Sequence, residues 1–211
     1  MKDSEEKFKS VIYKHSSLFV KIVSGAFKEE LESTSQFSYR LKPLGHAIIT
    51  NNFIIDNALK MEDDTATFRM YKIKQANYFV IKDEKENVEI HGKFKKLRNN
   101  FLSSNIPTQT VLQFLSNETA DYYQYELEFM PERINVIVGY IPNEARTDIK
   151  IYVTRPIDEK HLAWILPLPE EGEEGIIDTS KDVPVIPRIP ADLQRKQRVR
   201  TPSKLKEKNA E

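Results

Sequence analysis

Residues 8–31 read FKSVIYKHSSLFVKIVSGAFKEEL. Within this stretch Phe8, Val11, Ile12, His15, Leu18, Phe19, Ile22, Val23, Ala26, Phe27 and Leu31 recur at steps of three, four and one. That spacing lays one apolar stripe along a helix of about 3.6 residues per turn. It predicts a helix from about Ser4 to Glu32, whole or in two pieces. Asp3, three residues before Glu6, forms a capping box that starts it. Ser16-Ser17 and Gly25 are the weak points where it bends or splits.

From Phe37 onward the period changes to two. The candidate strands are Phe37–Leu41, Ala47–Thr50, Phe53–Ile55, Thr67–Ile73, Tyr78–Ile81 and Val88–Lys93. Asn51-Asn52 reads as a tight turn between two of them, since Asn tolerates positive φ. Asp83 to Asn87 is a solvated hairpin loop. Lys95–Phe101 adds a turn, and Thr108–Leu115, after Pro107, a short helix. Tyr123, Tyr125, Leu127 and Phe129 alternate with Gln124, Glu126 and Glu128, which gives a strand with one wet face. Ile134–Tyr140 is uniformly apolar and suits a central strand. Asp148–Thr154 and Leu162–Leu166 complete an antiparallel meander. Helix first, then strands, predicts an α+β domain over 1–168: a long N-terminal amphipathic helix packed on a mainly antiparallel sheet.

Beyond Leu168 the composition shifts, and residues 169–211 read as an extended tail. Residues 170–182 hold six acids against Lys181, and 188–211 hold eight bases against three acids, so the blocks carry about −5 and +5. Little there buries enough apolar surface to offset ordering entropy. The 211-residue chain has zero net charge and no cysteine, so it has neither a disulfide framework nor thiolate chemistry. No signal peptide is read at the N-terminus, and no stretch approaches the roughly 18–20 apolar residues of a spanning helix. A soluble protein is expected, cytoplasmic or within a particle assembled in the cytoplasm, with no membrane partner.

The most informative motif is Pro184-Val-Ile-Pro-Arg-Ile-Pro190. Prolines at every third position align along one edge of a polyproline II helix, which has about three residues per turn. Pro184, Pro187 and Pro190, with Ile186 and Ile189 between them, are the candidate partner-binding residues. The bland reading is a stiff spacer, but the interleaved side chains are too apolar for that alone. Arg195, Lys196, Arg198, Arg200, Lys204, Lys206 and Lys208 form a basic arm able to neutralise phosphates without sequence preference. Solvation, or pairing with the acidic block, competes with that reading.

Signals for catalysis are thin. The histidines His15, His46, His91 and His161 are scattered and none stands in a metal-ligand spacing. No phosphate-cradling glycine loop or Gly-x-Ser-x-Gly elbow occurs. Tyr122, Tyr123, Tyr125 and Phe129 resemble a stacking platform, yet Glu126 and Glu128 beside them favour core packing. Glu132 with Asp148 and Lys150, each opening a neighbouring strand, is a distant candidate for a magnesium-dependent phosphodiesterase; polar hairpin ends give the same letters. No cofactor is expected. The leading expectation is a non-enzymatic subunit of a larger homo- or hetero-oligomeric assembly, such as a virus or phage particle, docking other protein subunits through its tail. The alternative is a nucleic-acid-associated protein using the basic arm.

Overall fold

The N-terminal stripe folds as two helices, α1 (Lys2–Lys14) and α2 (Ser16–Thr34), in a computed structural model that describes residues 2–62, 67–73, 76–103, 114, 131–158 and 160–169. The chain divides into two units, Met1–Ile177 and Asp178–Glu211, and every described residue lies in the first. The helix breaks at His15, whose φ of −103° and ψ of 8° leave the helical well. Ser16 and Ser17 follow at once, and their hydroxyls compete for backbone partners. Helix α1 runs from Lys2, so Asp3 lies within it rather than ahead of its first turn. Both pieces turn their apolar side inward: Phe8, Val11, Ile12, Phe19, Ile22, Val23, Ala26 and Phe27 are all buried. Gly25 does not split α2, which runs unbroken from Ser16 to Thr34. A Cβ there would stand 3.4 Å from Asn57 Nδ2, so the glycine marks the close approach of the next helix.

That next helix corrects the sequence reading. Three expected strands, Phe37–Leu41, Ala47–Thr50 and Phe53–Ile55, are replaced by a single 3₁₀ turn at Ser38–Arg40 and by α3, Pro43–Lys60. Asn51-Asn52 is no hairpin turn; it lies at the midpoint of α3. Pro43 at the first helical turn fits its fixed φ and missing N–H. The apolar pairs Ile48-Ile49 and Ile54-Ile55 suggested short strands, but they sit on different sides of one helix, with Ile54 buried and Ile48 53% exposed.

Six strands follow: β1 (Phe68–Ile73), β2 (Ala76–Asp83), β3 (Val88–Lys96), β4 (Glu132–Pro142), β5 (Ile149–Pro156) and β6 (Leu162–Pro167). They make one sheet in the order β1-β2-β3-β4-β5-β6. Every pairing is antiparallel except β3 with β4, where Val88 stands opposite Glu132 and Lys96 opposite Tyr140 in parallel register. A parallel pair needs a crossover of a dozen or more residues, and the chain between Lys96 and Glu132 supplies it. Of the Lys95–Phe101 segment, only Arg98–Phe101 makes a turn, closed by the Phe101 N–H donating to the Arg98 carbonyl at 2.8 Å. Strand β3 runs to Lys96, Leu97 bridges to Ser103, and Phe101 takes a φ of 63°. Of Thr108–Leu115 only Phe114 is described, and Tyr122–Phe129 lies outside the described residues.

Alternation along the strands sorts the two faces of the sheet. Phe79, Ile81, Val88, Ile90, Phe94, Ile134, Val136, Val138, Ile151 and Val153 join the helices in the main core. On the opposite face Tyr78, Leu97, Phe114 and Ile137 form a smaller cluster. Two strand glycines make this packing fit. The ring of Phe79 lies over Gly92, where a Cβ would fall 1.9 Å from Phe79 Cζ, and the Leu97 side chain fills the space over Gly139. The protein is α+β, with N-terminal helices on a six-stranded, mostly antiparallel sheet.

Candidate interaction surface and polar clusters

Helix α3 is built inside out. Its buried positions include His46, Thr50 and Asn57, alongside Ile54 and Ala58. Its outward side carries Leu44, Ile48 and Leu59, which are 71%, 53% and 49% exposed, with half-buried Ile55 between them. At about 100° per residue, Leu44, Ile48, Asn52, Ile55 and Leu59 fall within roughly 40° of one line. His46, Thr50 and Asn57 fall on the opposite side. Tyr39 and Phe37, shortly before α3 in the chain, are exposed as well. An amphipathic surface helix normally turns its apolar stripe inward; this one buries Ile54 and Ala58 but shows a second apolar stripe to solvent. Contiguous exposed apolar patches mark interaction sites.

The inverted orientation has a cause inside the protein. Glu30 of α2 is fully buried. His46 Nδ1 stands 2.5 Å from Glu30 Oε1, and Arg146 Nη2 donates to Glu30 Oε2 at 2.8 Å. Thr34 Oγ1 donates to the Glu30 carbonyl at 2.8 Å, and Thr50 Oγ1 to the His46 carbonyl at 2.8 Å. Asn57 Nδ2 donates to Glu29 Oε1 at 2.9 Å. Burying a carboxylate is costly unless it is paired and hydrogen-bonded, so α3 must point its polar residues at α2. Arg146 sits in the β4–β5 turn at a φ of 54°, and its guanidinium lies 5.5 Å from the Phe27 ring. A cavity of about 360 Å³ opens beside this cluster, lined by Leu41, Pro43, His46, Lys96, Asn99 and Arg146. Burial and the nearby Arg146 hold the Lys96 amine below its ordinary pKa.

A second polar cluster lies on the far face of the sheet. His91 Nδ1 is 2.7 Å from the Tyr71 hydroxyl, and His91 Nε2 pairs with Glu89 Oε1. Arg133 and Lys82 stand 3.6 and 3.7 Å from Glu89 Oε2. Burial pushes the Tyr71 hydroxyl up to about 12. Lys93 rests its ammonium 4.2 Å from the Tyr78 ring centre and 4.7 Å from that of Phe114. Burial brings its pKa down to about 8. Asn135 Nδ2 donates to the Phe114 carbonyl at 3.0 Å. These groups tie the crossover segment to the sheet at Phe114.

None of the residues predicted to bind partners is among the described residues: Pro184, Ile186, Pro187, Ile189, Pro190, and the basic Arg195, Lys196, Arg198, Arg200, Lys204 and Lys206 all lie beyond them. The phosphodiesterase constellation is not assembled. Ile149 pairs with Pro142, at the far end of β4 from Glu132, so Glu132 and Asp148 are separated by roughly 30 Å of strand. Asp148 Oδ1 instead accepts from the Ile149 N–H at 2.7 Å. Among the described residues no group of three or more acids and histidines is placed to hold a metal ion, and no helix is long and apolar enough to cross a membrane. Of the histidines the sequence left scattered, His46, His91 and His161 each meet an acid: Glu30, Glu89 and Asp158. His161 and Asp158 lie three apart and were readable as a local pair; Glu89 and His91, two apart on one strand face, also carried a signal. Glu30 and His46 did not. No family model, curated protein or solved structure matches this chain.

Proposed function

We propose that this protein is a non-enzymatic subunit of a larger protein assembly, contacting neighbours through the outer face of α3 and docking a partner with the Pro184–Pro190 segment of its tail. The observation that carries the reading is the inversion of α3. Leu44, Ile48 and Leu59 face water while His46, Thr50 and Asn57 are buried. Leaving three large aliphatic side chains wet forgoes about 1.5–3 kcal/mol for each one that could be buried. A partner surface recovers that free energy. The polyproline spacing of the tail adds a second, extended element that loses little entropy on docking.

The test is the size of the native particle. The tagged chain is isolated under mild conditions from the cells that make it, and its mass is measured against the 24.6 kDa of the monomer. A complex well above that mass is expected. Leu44→Lys with Ile48→Lys, and separately Ile186→Ser with Ile189→Ser, should each shrink it without moving the melting temperature of the folded body. A native protein that runs as a monomer, or a complex indifferent to both pairs of substitutions, refutes the reading.

A further inference from the structure

The exposed stripe of α3 has a symmetry that names one partner. The midpoint of the helix falls between Asn51 and Asn52. Counting outward from it, Ile48 on one side matches Ile55 on the other, and Leu44 matches Leu59. The outward face is therefore a palindrome: leucine, isoleucine, asparagine pair, isoleucine, leucine. A two-fold interface requires such self-complementarity, because each position must suit its mirror position on an identical surface. Resting on the assembly-subunit reading above, we infer that α3 packs antiparallel against α3 of a second copy of this chain, about a two-fold axis between Asn51 and Asn52.

In that arrangement Leu44 of one copy meets Leu59 of the other, and Ile48 meets Ile55. Asn51 and Asn52 cross the axis, where their side-chain amides each offer a donor and an acceptor. A slip by one turn would set these amides against isoleucines, so the asparagines fix the register as polar residues do in helix pairs.

Area sets the strength. Helix α3 has 18 residues, so it is about 27 Å long, and a strip about 10 Å wide covers roughly 300 Å² per copy. A standard stable interface takes roughly 800 Å² per partner. The strip is well below that size, so the dimer is weak and forms only at high protein concentration.

Sedimentation equilibrium of the purified full chain should show its mass rising from 24.6 kDa toward twice that value as concentration increases. Ile48→Lys should weaken association at least about tenfold while leaving the melting temperature in place; should that variant misfold, the more exposed Leu44→Lys takes its role. Because the chain has no cysteine, single cysteines report the geometry directly. Asn52→Cys should oxidise to a disulfide-linked dimer. Leu44→Cys alone should not, since the two copies of that position would stand about 22 Å apart along the axis. A mixture of Leu44→Cys and Leu59→Cys should form the crossed dimer. A chain that stays monomeric at several hundred micromolar, or a Leu44→Cys protein that links to itself, overturns the proposal. A native complex made only with other proteins would overturn it too while sparing the assembly-subunit reading.

Discussion

Replacing Glu30 by glutamine should destabilise the body by about 2–4 kcal/mol. The carboxylate is fully buried and meets His46 at 2.5 Å and Arg146 at 2.8 Å. Glutamine keeps the shape and removes the charge, which leaves the Arg146 guanidinium without its counter-ion. Breaking a buried pair in this way costs about 3–5 kcal/mol. The Arg146 side chain is 23% exposed, so water recovers part of that cost and the lower range is expected. With urea slopes of about 1–3 kcal/mol per molar, the unfolding midpoint should fall by about 1–2 M. The pairing itself is isolated by a cycle. Arg146→Met alone leaves the acid with His46 only, whereas Glu30→Gln with Arg146→Met removes both charges. The double variant should therefore lose less than the sum of the singles, by at least about 1 kcal/mol. A Glu30→Gln protein within about 0.5 kcal/mol of the parent, or strict additivity in the cycle, would refute this account of what turns the polar side of α3 inward.

Gly92→Ala should cost about 3 kcal/mol, because the new methyl would lie 1.9 Å from Phe79 Cζ and the buried Phe79 ring is wedged 4.9–6.0 Å from the ring centres of Phe19, Phe68 and Phe94; adding Phe79→Leu should restore part of the loss in the same urea titration. Lys93 titrates near 8 in the folded state against about 10.4 unfolded, so the unfolded chain binds more protons between those values. Stability should therefore rise with pH from about 8 to about 10, and Lys93→Met should flatten the rise; an unchanged slope counts against a desolvated Lys93. Tail electrostatics are read by mobility shift with single-stranded nucleic acid at low salt. If the basic arm neutralises phosphates, binding falls steeply as salt is added and vanishes on deleting Gln194–Glu211, whereas an intact chain that shifts nothing at low salt removes the nucleic-acid alternative.

Much of the fold was legible because its signals are local. The stripe from Phe8 to Leu31, the alternation of Ile149, Ile151 and Val153, and the apolar run Ile134–Tyr140 each record which side of one element faces the core. Those readings need no knowledge of distant residues, and the α+β class follows from their order. Helix α3 was illegible for the same reason. Leu44, Ile48 and Leu59 face outward while His46, Thr50 and Asn57 are buried beside Ile54 and Ala58, so periodicity judged against an assumed apolar inside pointed to strands. What reverses α3 is Glu30, sixteen residues before His46 and 116 before Arg146, and no local pattern relates positions so far apart. The parallel register of β3 with β4 is likewise set by how a crossover returns to the sheet, not by either strand's own sequence. The sequence alone determined which segments could bury an apolar face. Only the tertiary structure decided which face α3 leaves to solvent, because a buried carboxylate must find its partners wherever the fold brings them.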